Sequence, residues 1–154
     1  MSPARLLARG VASGLGAGFA PAAPGTAGSL LALVLGAALL QAPAWALPLA
    51  IAAATFGGLW AVKRAGGEDD PGWIVIDEVA GQWIALLALP RATLPGLAAA
   101  FVLFRLLDIL KPGPVGWADR QEGAAGVMAD DLIAGAIAAG ILWAAQARWP
   151  GLFG

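Results

Sequence analysis

Six carboxylates and two cations stand where apolar segments begin or end. They are Asp77 and Glu78 in WIVIDEVAGQW, Arg105, Asp108 and Lys111 in FRLLDILKPGP, Asp119 in WADRQ, and Asp130 with Asp131 in GVMADDLIAG. The surrounding chain is 60% hydrophobic and only 12% charged. Ionisable groups retained in so apolar a sequence mark a functional site. Acidic pairs drawn from different helices suit a hard cation such as Mg²⁺, which binds carboxylate oxygens, keeps several waters and takes a substrate phosphate as a further ligand. Carboxylates in a first helical turn also complement the helix dipole. Ser, Thr or Asn would cap a helix equally well, so capping alone does not account for two doubled acids.

Arg105, Asp108 and Lys111 follow one another at i+3 spacing and so share one helical face. Two readings of this face stand side by side. The cations complement a helix C-terminus and Asp108 neutralises Arg105, or Arg105 and Lys111 meet phosphate oxygens while Asp108 binds a metal or orients its neighbours. Pro112 and Pro114 stop the helix. The run Ala23–Pro24–Gly25–Thr26–Ala27–Gly28–Ser29 leads into an apolar stretch. Free N–H groups at a helix start attract anions, which makes Thr26 and Ser29 candidate phosphate contacts.

What is missing narrows the chemistry. The chain has no cysteine and no histidine. Disulfides, thiolate and histidine nucleophiles and the soft ligands of zinc and copper are thereby excluded. A D-x-D nucleophile signature is also absent. Metal-assisted attack on phosphorus, by water or by an aspartate, stays open. The net charge of -1 comes with no basic patch, so nucleic acid is not an expected partner.

The elements that must position these groups are apolar helices. A chain of 154 residues is expected to form one domain, 1–154. Its mean hydropathy is +0.79. Uncharged apolar stretches run over 27–43, 44–62, 79–90, 92–104 and 132–147. Extended by neighbouring charged residues, they approach the ~17–25 residues that span a bilayer. The expected fold is all-α, a compact multi-pass membrane bundle of about five apolar helices. Asp130 and Asp131 are expected to open the last helix, with Gly123 and Gly126 in a loop before it. Gly81 and Gly135, each one turn after an acid, are expected to let helices pack closely. Residues 10–28 are interrupted by glycines and by Pro21 and Pro24, so the N-terminal segment is expected to be retained rather than cleaved.

With five crossings, seven basic residues share one side, against Arg91 and Arg148 on the other. The positive-inside rule makes the richer side cytoplasmic. All ten acidic residues fall on that side as well. Six carboxylates at mid-bilayer would cost on the order of 15–20 kcal/mol, far more than at helix ends near the interface. The charges therefore belong at the cytoplasmic mouth of the bundle.

The blocks GFAPAAPGTAGSLLAL, WIVIDEVAGQWIALL, FVLFRLLDILKPGPVGWADR and GAAGVMADDLIAGAIAA resemble the phosphatidylglycerophosphatase A family over most of the chain. The combination R-x-x-D-x-x-K-P-x-P followed by G-V-M-x-D-D is the most specific part. The resemblance implies a Mg²⁺-dependent enzyme that removes the terminal phosphate of phosphatidylglycerophosphate in a bacterial inner membrane. The partners it implies are a phospholipid substrate and the bilayer. Matching positions are Thr26, Asp77, Glu78, Arg105, Asp108, Lys111, Asp119, Asp130 and Asp131. On this basis Asp77, Glu78, Arg105, Asp108, Lys111 and Asp131 are expected to be catalytic, and Asp77, Glu78, Asp108, Asp130 and Asp131 to hold the metal. Thr26, Ser29, Arg105 and Lys111 are expected to bind substrate phosphate. EGAAG departs from the Gly-Gly pair expected there, which bears on the geometry around Gly126. A small transporter or other ion-binding membrane protein using the same acids is the main rival, although its charges should line a path near the midplane. A peripheral soluble hydrolase is another. A CDP-alcohol phosphatidyltransferase lacks support, because D-G-x-x-A-R is absent.

Overall fold

Local signals set most helix ends in the computed structural model, which describes residues 1–153. Helix α1 (Pro3–Ala12) starts behind Ser2, whose hydroxyl accepts from the Arg5 N–H. A short 3₁₀ turn, Ala17–Phe19, leads to α2 (Pro24–Leu39). Helix α3 (Ala46–Ala65) ends on Gly66 in the left-handed conformation that glycine adopts without a Cβ penalty. Then come α4 (Ile76–Leu86), α5 (Leu94–Leu110), α6 (Pro114–Asp119) and α7 (Gly123–Arg148). Thr93 caps α5 by accepting from the Gly96 N–H, and Lys111 ends it with φ of 47°. Pro112 follows, as expected of a helix stop. No strand occurs among the described residues, so the all-α expectation holds.

Helix α4 is the hub, packing against α7, α2, α3 and α5. Its Trp83 indole N–H donates to the Ala32 carbonyl of α2 at 2.8 Å. Its contact with α7 is closest at Gly81 and Gly135. A Cβ on Gly81 would stand 2.5 Å from the Asp131 carbonyl and 2.6 Å from the Phe104 ring. A Cβ on Gly135 would collide with the Gly81 backbone. The close packing expected one turn after each acid is what the structure contains.

Two expectations need correction. Asp130 and Asp131 do not open the last helix, because α7 begins at Gly123 and places them two turns inside it. Their positions therefore owe nothing to dipole complementation in a first turn. Gly123 and Gly126 do not lie in a loop ahead of the helix but in the first turn of α7, although Gly123, with φ of 74°, does use the backbone freedom of glycine. Gly126 is required there because a Cβ would run into the Gln121 carbonyl. Ala124 and Ala125, the departure from the expected Gly-Gly pair, lie in the first turn of α7, where alanine favours the helix.

The five apolar stretches correspond to α2, α3, α4, α5 and α7, but only α3 and α7, with 20 and 26 residues, are long and apolar enough to cross a membrane. Helix α4 has 11 residues. At ~1.5 Å per residue that is roughly half the ~30 Å of a bilayer core. Its start is delayed because the Val75 N–H donates to the Ala12 carbonyl at 2.9 Å, tying the entry of α4 to α1. Large apolar side chains face outward along the longer helices, among them Val34, Phe56, Val102 and Trp143, each more than half exposed. Exposed apolar side chains in such number suit contact with lipid or another protein.

The α4–α7 crossing predicts a sharp contrast between two glycines. Gly135→Leu should cost about 1–3 kcal/mol or more by overpacking. Gly57→Ala, mid-helix with nothing within 4 Å of the added Cβ, should be neutral or stabilising by up to about 1 kcal/mol. Thermal unfolding of both variants in detergent checks this, and equal midpoints would refute the packing.

Candidate active site

Four elements meet around a charged site at one end of the bundle. Helix α4 presents Asp77 and Glu78 from its first turn. The last two turns of α5 and its cap present Arg105, Asp108 and Lys111. Helix α7 presents Asp130 and Asp131. The start of α2 closes the fourth side, since a Cβ on Gly25 would collide with the Glu78 carboxylate and stand 3.4 Å from Arg105 Nη1. Together they enclose a cavity of about 320 Å³ lined by Pro24, Gly25, Asp70, Gly72, Ile74, Asp77, Glu78, Arg105, Asp108, Ile109, Lys111, Asp130 and Asp131.

Ion pairs divide the acids into two groups. The Arg105 guanidinium donates to Asp108. The Lys111 ammonium donates to Asp130, lies 2.8 Å from Asp119 and 3.8 Å from Asp108. The i+3 face read from the sequence is thus a linked network. Asp119 sits at its edge, more exposed than the others and outside the cavity lining. Burial by itself would lower the Lys111 pKa, but the hydrogen bonds to Asp119 and Asp130 and the charges of Asp130 and Asp108 outweigh it and push it up. Lys111 is therefore an ammonium throughout the neutral range.

The second group, Asp77, Glu78 and Asp131, forms no ion pair. Asp77 and Asp131 are 7% and 2% exposed. Asp77 Oδ1, Glu78 Oε2 and Asp131 Oδ1 are buried without a hydrogen-bond partner. A buried ionised carboxylate without a partner carries a large desolvation penalty. One oxygen from each of Asp77, Glu78 and Asp131 lies within 4.8 Å of the others, and the same holds for Asp108, Asp130 and Asp131. The donors are all hard oxygens, as a Mg²⁺-type cation requires. These residues fit such an ion.

The remaining expectations divide. Thr26 lies half-buried in the first turn of α2, beside Gly25 but outside the cavity lining. Ser29 is not brought to the site as a phosphate contact. It is fully buried, and its hydroxyl donates to the Gly25 carbonyl at 2.9 Å. One turn further along α2, it faces packing rather than the mouth.

Two residues were missed. Asp70 lines the cavity from the α3–α4 loop with φ of 49°, a conformation Asp tolerates better than most residues. The cavity walls partly desolvate it, and Asp130, Asp119 and Asp108 repel it, so its carboxyl is held above the usual range although Lys111 opposes this. The acidic run GEDD just before WIVIDE was the available signal. Gln82, one turn beyond Glu78, is fully buried with neither amide atom paired. A lone amide inside an apolar helix was its only signal.

A neighbouring cavity of about 750 Å³ shares Asp70 and Asp130. Its other lining includes Glu68, Asp69, Asp119 and Glu122, with Arg120 as the one cation. It is larger but sets one cation against six acids, whereas the smaller cavity holds two cations, Arg105 and Lys111, that suit phosphate oxygens.

Comparison with known proteins agrees with the residues. The model of the family described as Phosphatidylglycerophosphatase A matches residues 10–146. The chain is similar to phosphatidylglycerophosphatase A of Escherichia coli, 40% identical over 144 residues, covering 91% of this chain and 84% of that protein. It is 38% identical to phosphatidylglycerophosphatase A of Haemophilus influenzae, covering 95% and 90%. A putative phosphatidylinositol-3-phosphatase of Bacteroides thetaiotaomicron is 39% identical, covering 90% and 92%. No solved structure matches the chain. With the matched region spanning every element that builds the cavity, the chain belongs to the phosphatidylglycerophosphatase A family.

Proposed function

We propose that this protein hydrolyses the terminal phosphomonoester of phosphatidylglycerophosphate, giving phosphatidylglycerol and inorganic phosphate. The observation that carries the reading is the cavity itself. Three carboxylates, each with a buried oxygen that has no hydrogen-bond partner, stand beside a guanidinium and an ammonium, in a chain of this family.

Asp77, Glu78 and Asp131 would hold Mg²⁺. When bound, the ion supplies a Lewis acid that neutralises phosphomonoester charge. Arg105 and Lys111 bind the phosphoryl oxygens, and their aspartate partners hold them in position. The free N–H groups at the start of α2, where Gly25 lines the cavity, add donors on the opposite wall. Water attacks phosphorus in line and gives up a proton to a lining carboxylate. The bond from phosphorus to the glycerol oxygen breaks, and that oxygen takes the proton back from the carboxylate as it leaves. The cavity accommodates the headgroup while the acyl chains stay outside it.

In this reading the protein is a membrane enzyme with its charged end at the cytoplasmic face of a bacterial cell membrane. Helices α3 and α7 cross the bilayer. Helices α2 and α5, with 16 and 17 residues, reach most of the way across. Helix α4 is largely enclosed by protein, so its short length costs little. The name of the Bacteroides relative raises a second lipid phosphomonoester as an alternative substrate. The shared chemistry is a terminal phosphate on a phospholipid headgroup.

Purified protein should release phosphate from phosphatidylglycerophosphate in the presence of Mg²⁺, faster than from phosphatidylinositol 3-phosphate. Excess chelator should abolish turnover, and activity surviving it would remove the metal from the mechanism. Asp77→Asn and Asp131→Asn should each lower kcat by at least about 100-fold with the fold retained. Lys111→Met should raise KM and lower kcat together. Rapid acid quench should trap no phosphoenzyme, whereas a base-labile, hydroxylamine-sensitive aspartyl-phosphate would replace the water route. Carbonate washing should leave the protein in the membrane fraction.

A further inference from the structure

The cavity carries more negative charge than one divalent cation can offset. Its lining has six carboxylates against two cations, Arg105 and Lys111, a formal surplus of four negative charges. One Mg²⁺ leaves two of these charges facing a substrate that is itself a dianion. Two divalent cations bring the site to neutrality before the phosphate enters. In a partly desolvated cavity like charges repel far more strongly than in water, so the difference bears directly on binding.

The geometry supplies two places. Asp77, Glu78 and Asp131 form one oxygen triad, and Asp108, Asp130 and Asp131 form the other. Asp131 belongs to both, is 2% exposed, and has a buried Oδ1 with no partner. A carboxylate has two oxygens and can bridge two metals at the ~3.5–4 Å separation of two-metal phosphoryl-transfer sites. The acids of the second triad, Asp108 and Asp130, are those that accept from Arg105 and Lys111. A cation bound there takes over the neutralisation of these acids and frees both side chains for phosphate oxygens.

We propose that the site binds a pair of divalent cations bridged by Asp131, one on Asp77 and Glu78, the other on Asp108 and Asp130. The inference rests on the carboxylate-metal reading above and adds the second ion. The pair explains why Asp108 and Asp130 stand beside cations that the phosphate also needs. The paired side chains act as stand-in counter-ions until metal arrives.

Mn²⁺ replaces Mg²⁺ in the test because it is visible by electron paramagnetic resonance. The full chain in detergent is dialysed to equilibrium with Mn²⁺, bound metal is counted by elemental analysis, and the spectrum is recorded without substrate. The expected result is two Mn²⁺ per chain with an exchange-coupled spectrum. Asp77→Asn and Asp108→Asn should each retain one uncoupled ion, with near-native circular dichroism. One uncoupled Mn²⁺ in the saturated wild-type protein would overturn the pair while leaving the single-metal site standing. No bound Mn²⁺ would overturn both. Two uncoupled ions would also overturn the proposal, and loss of one of them in an Asp69→Asn, Glu122→Gln double variant would assign it to the neighbouring acidic cavity.

Discussion

The backbone contact between α4 and α7 at Gly81 and Gly135 is the constraint from which the site follows. Neither position has room for a Cβ, so the two helices meet at a separation that no larger residue permits. Each glycine lies one turn from an acid, Asp77 on α4 and Asp131 on α7. Bringing the glycines together therefore brings the acids together, whatever the acids themselves would prefer. The Phe104 ring packs on Gly81 from the third side, which sets Arg105, the next residue, at the same level. The packing energy of an apolar bundle is thus used to hold like charges side by side.

That arrangement is unfavourable without positive charge. Arg105 and Lys111 answer part of the need, and they do so for Asp108, Asp119 and Asp130. Asp77, Glu78 and Asp131 are left with buried oxygens facing no donor. A site that stays incomplete in the protein's own side chains is one that an external ligand completes. The same logic separates the two cavities at this end of the bundle, since only the smaller one combines unsatisfied acids with fixed cations. In the proposed orientation the charges sit at the mouth rather than at mid-bilayer, where hydration lowers their cost.

The helices differ in length for a related reason. Helix α4 is buried over most of its residues and needs only to reach from the site to the far side of its neighbours. Helix α7 continues well beyond the site in both directions, contacting α6 at its start and offering the Gln146 amide to the Ala88 carbonyl at 2.7 Å near its end. Counting apolar stretches in the sequence treats these two helices alike, because hydropathy does not distinguish lipid from protein as the apolar surrounding. Only α3 and α7 meet the length of a span.

Much of the site was legible in the sequence, because charge is so rare in this chain that nearly every acid inside an apolar block is informative. Residue types alone excluded thiolate and imidazole chemistry and pointed to oxygen ligands. The i+3 spacing of Arg105, Asp108 and Lys111 determined their shared face, and the spacing of Gly81 from Asp77 and of Gly135 from Asp131 announced the crossing. Helix α7 was misread at its start because glycines at 123 and 126 look like a loop until the close approach of Gln121 explains one of them. Ser29 looked like an anion contact until its hydroxyl proved committed to Gly25. The tertiary structure alone decided which acids have a cation and which do not, and it alone brought Asp70 into the cavity. Those outcomes depend on distances between residues tens of positions apart, which helix packing sets and local sequence spacing does not encode.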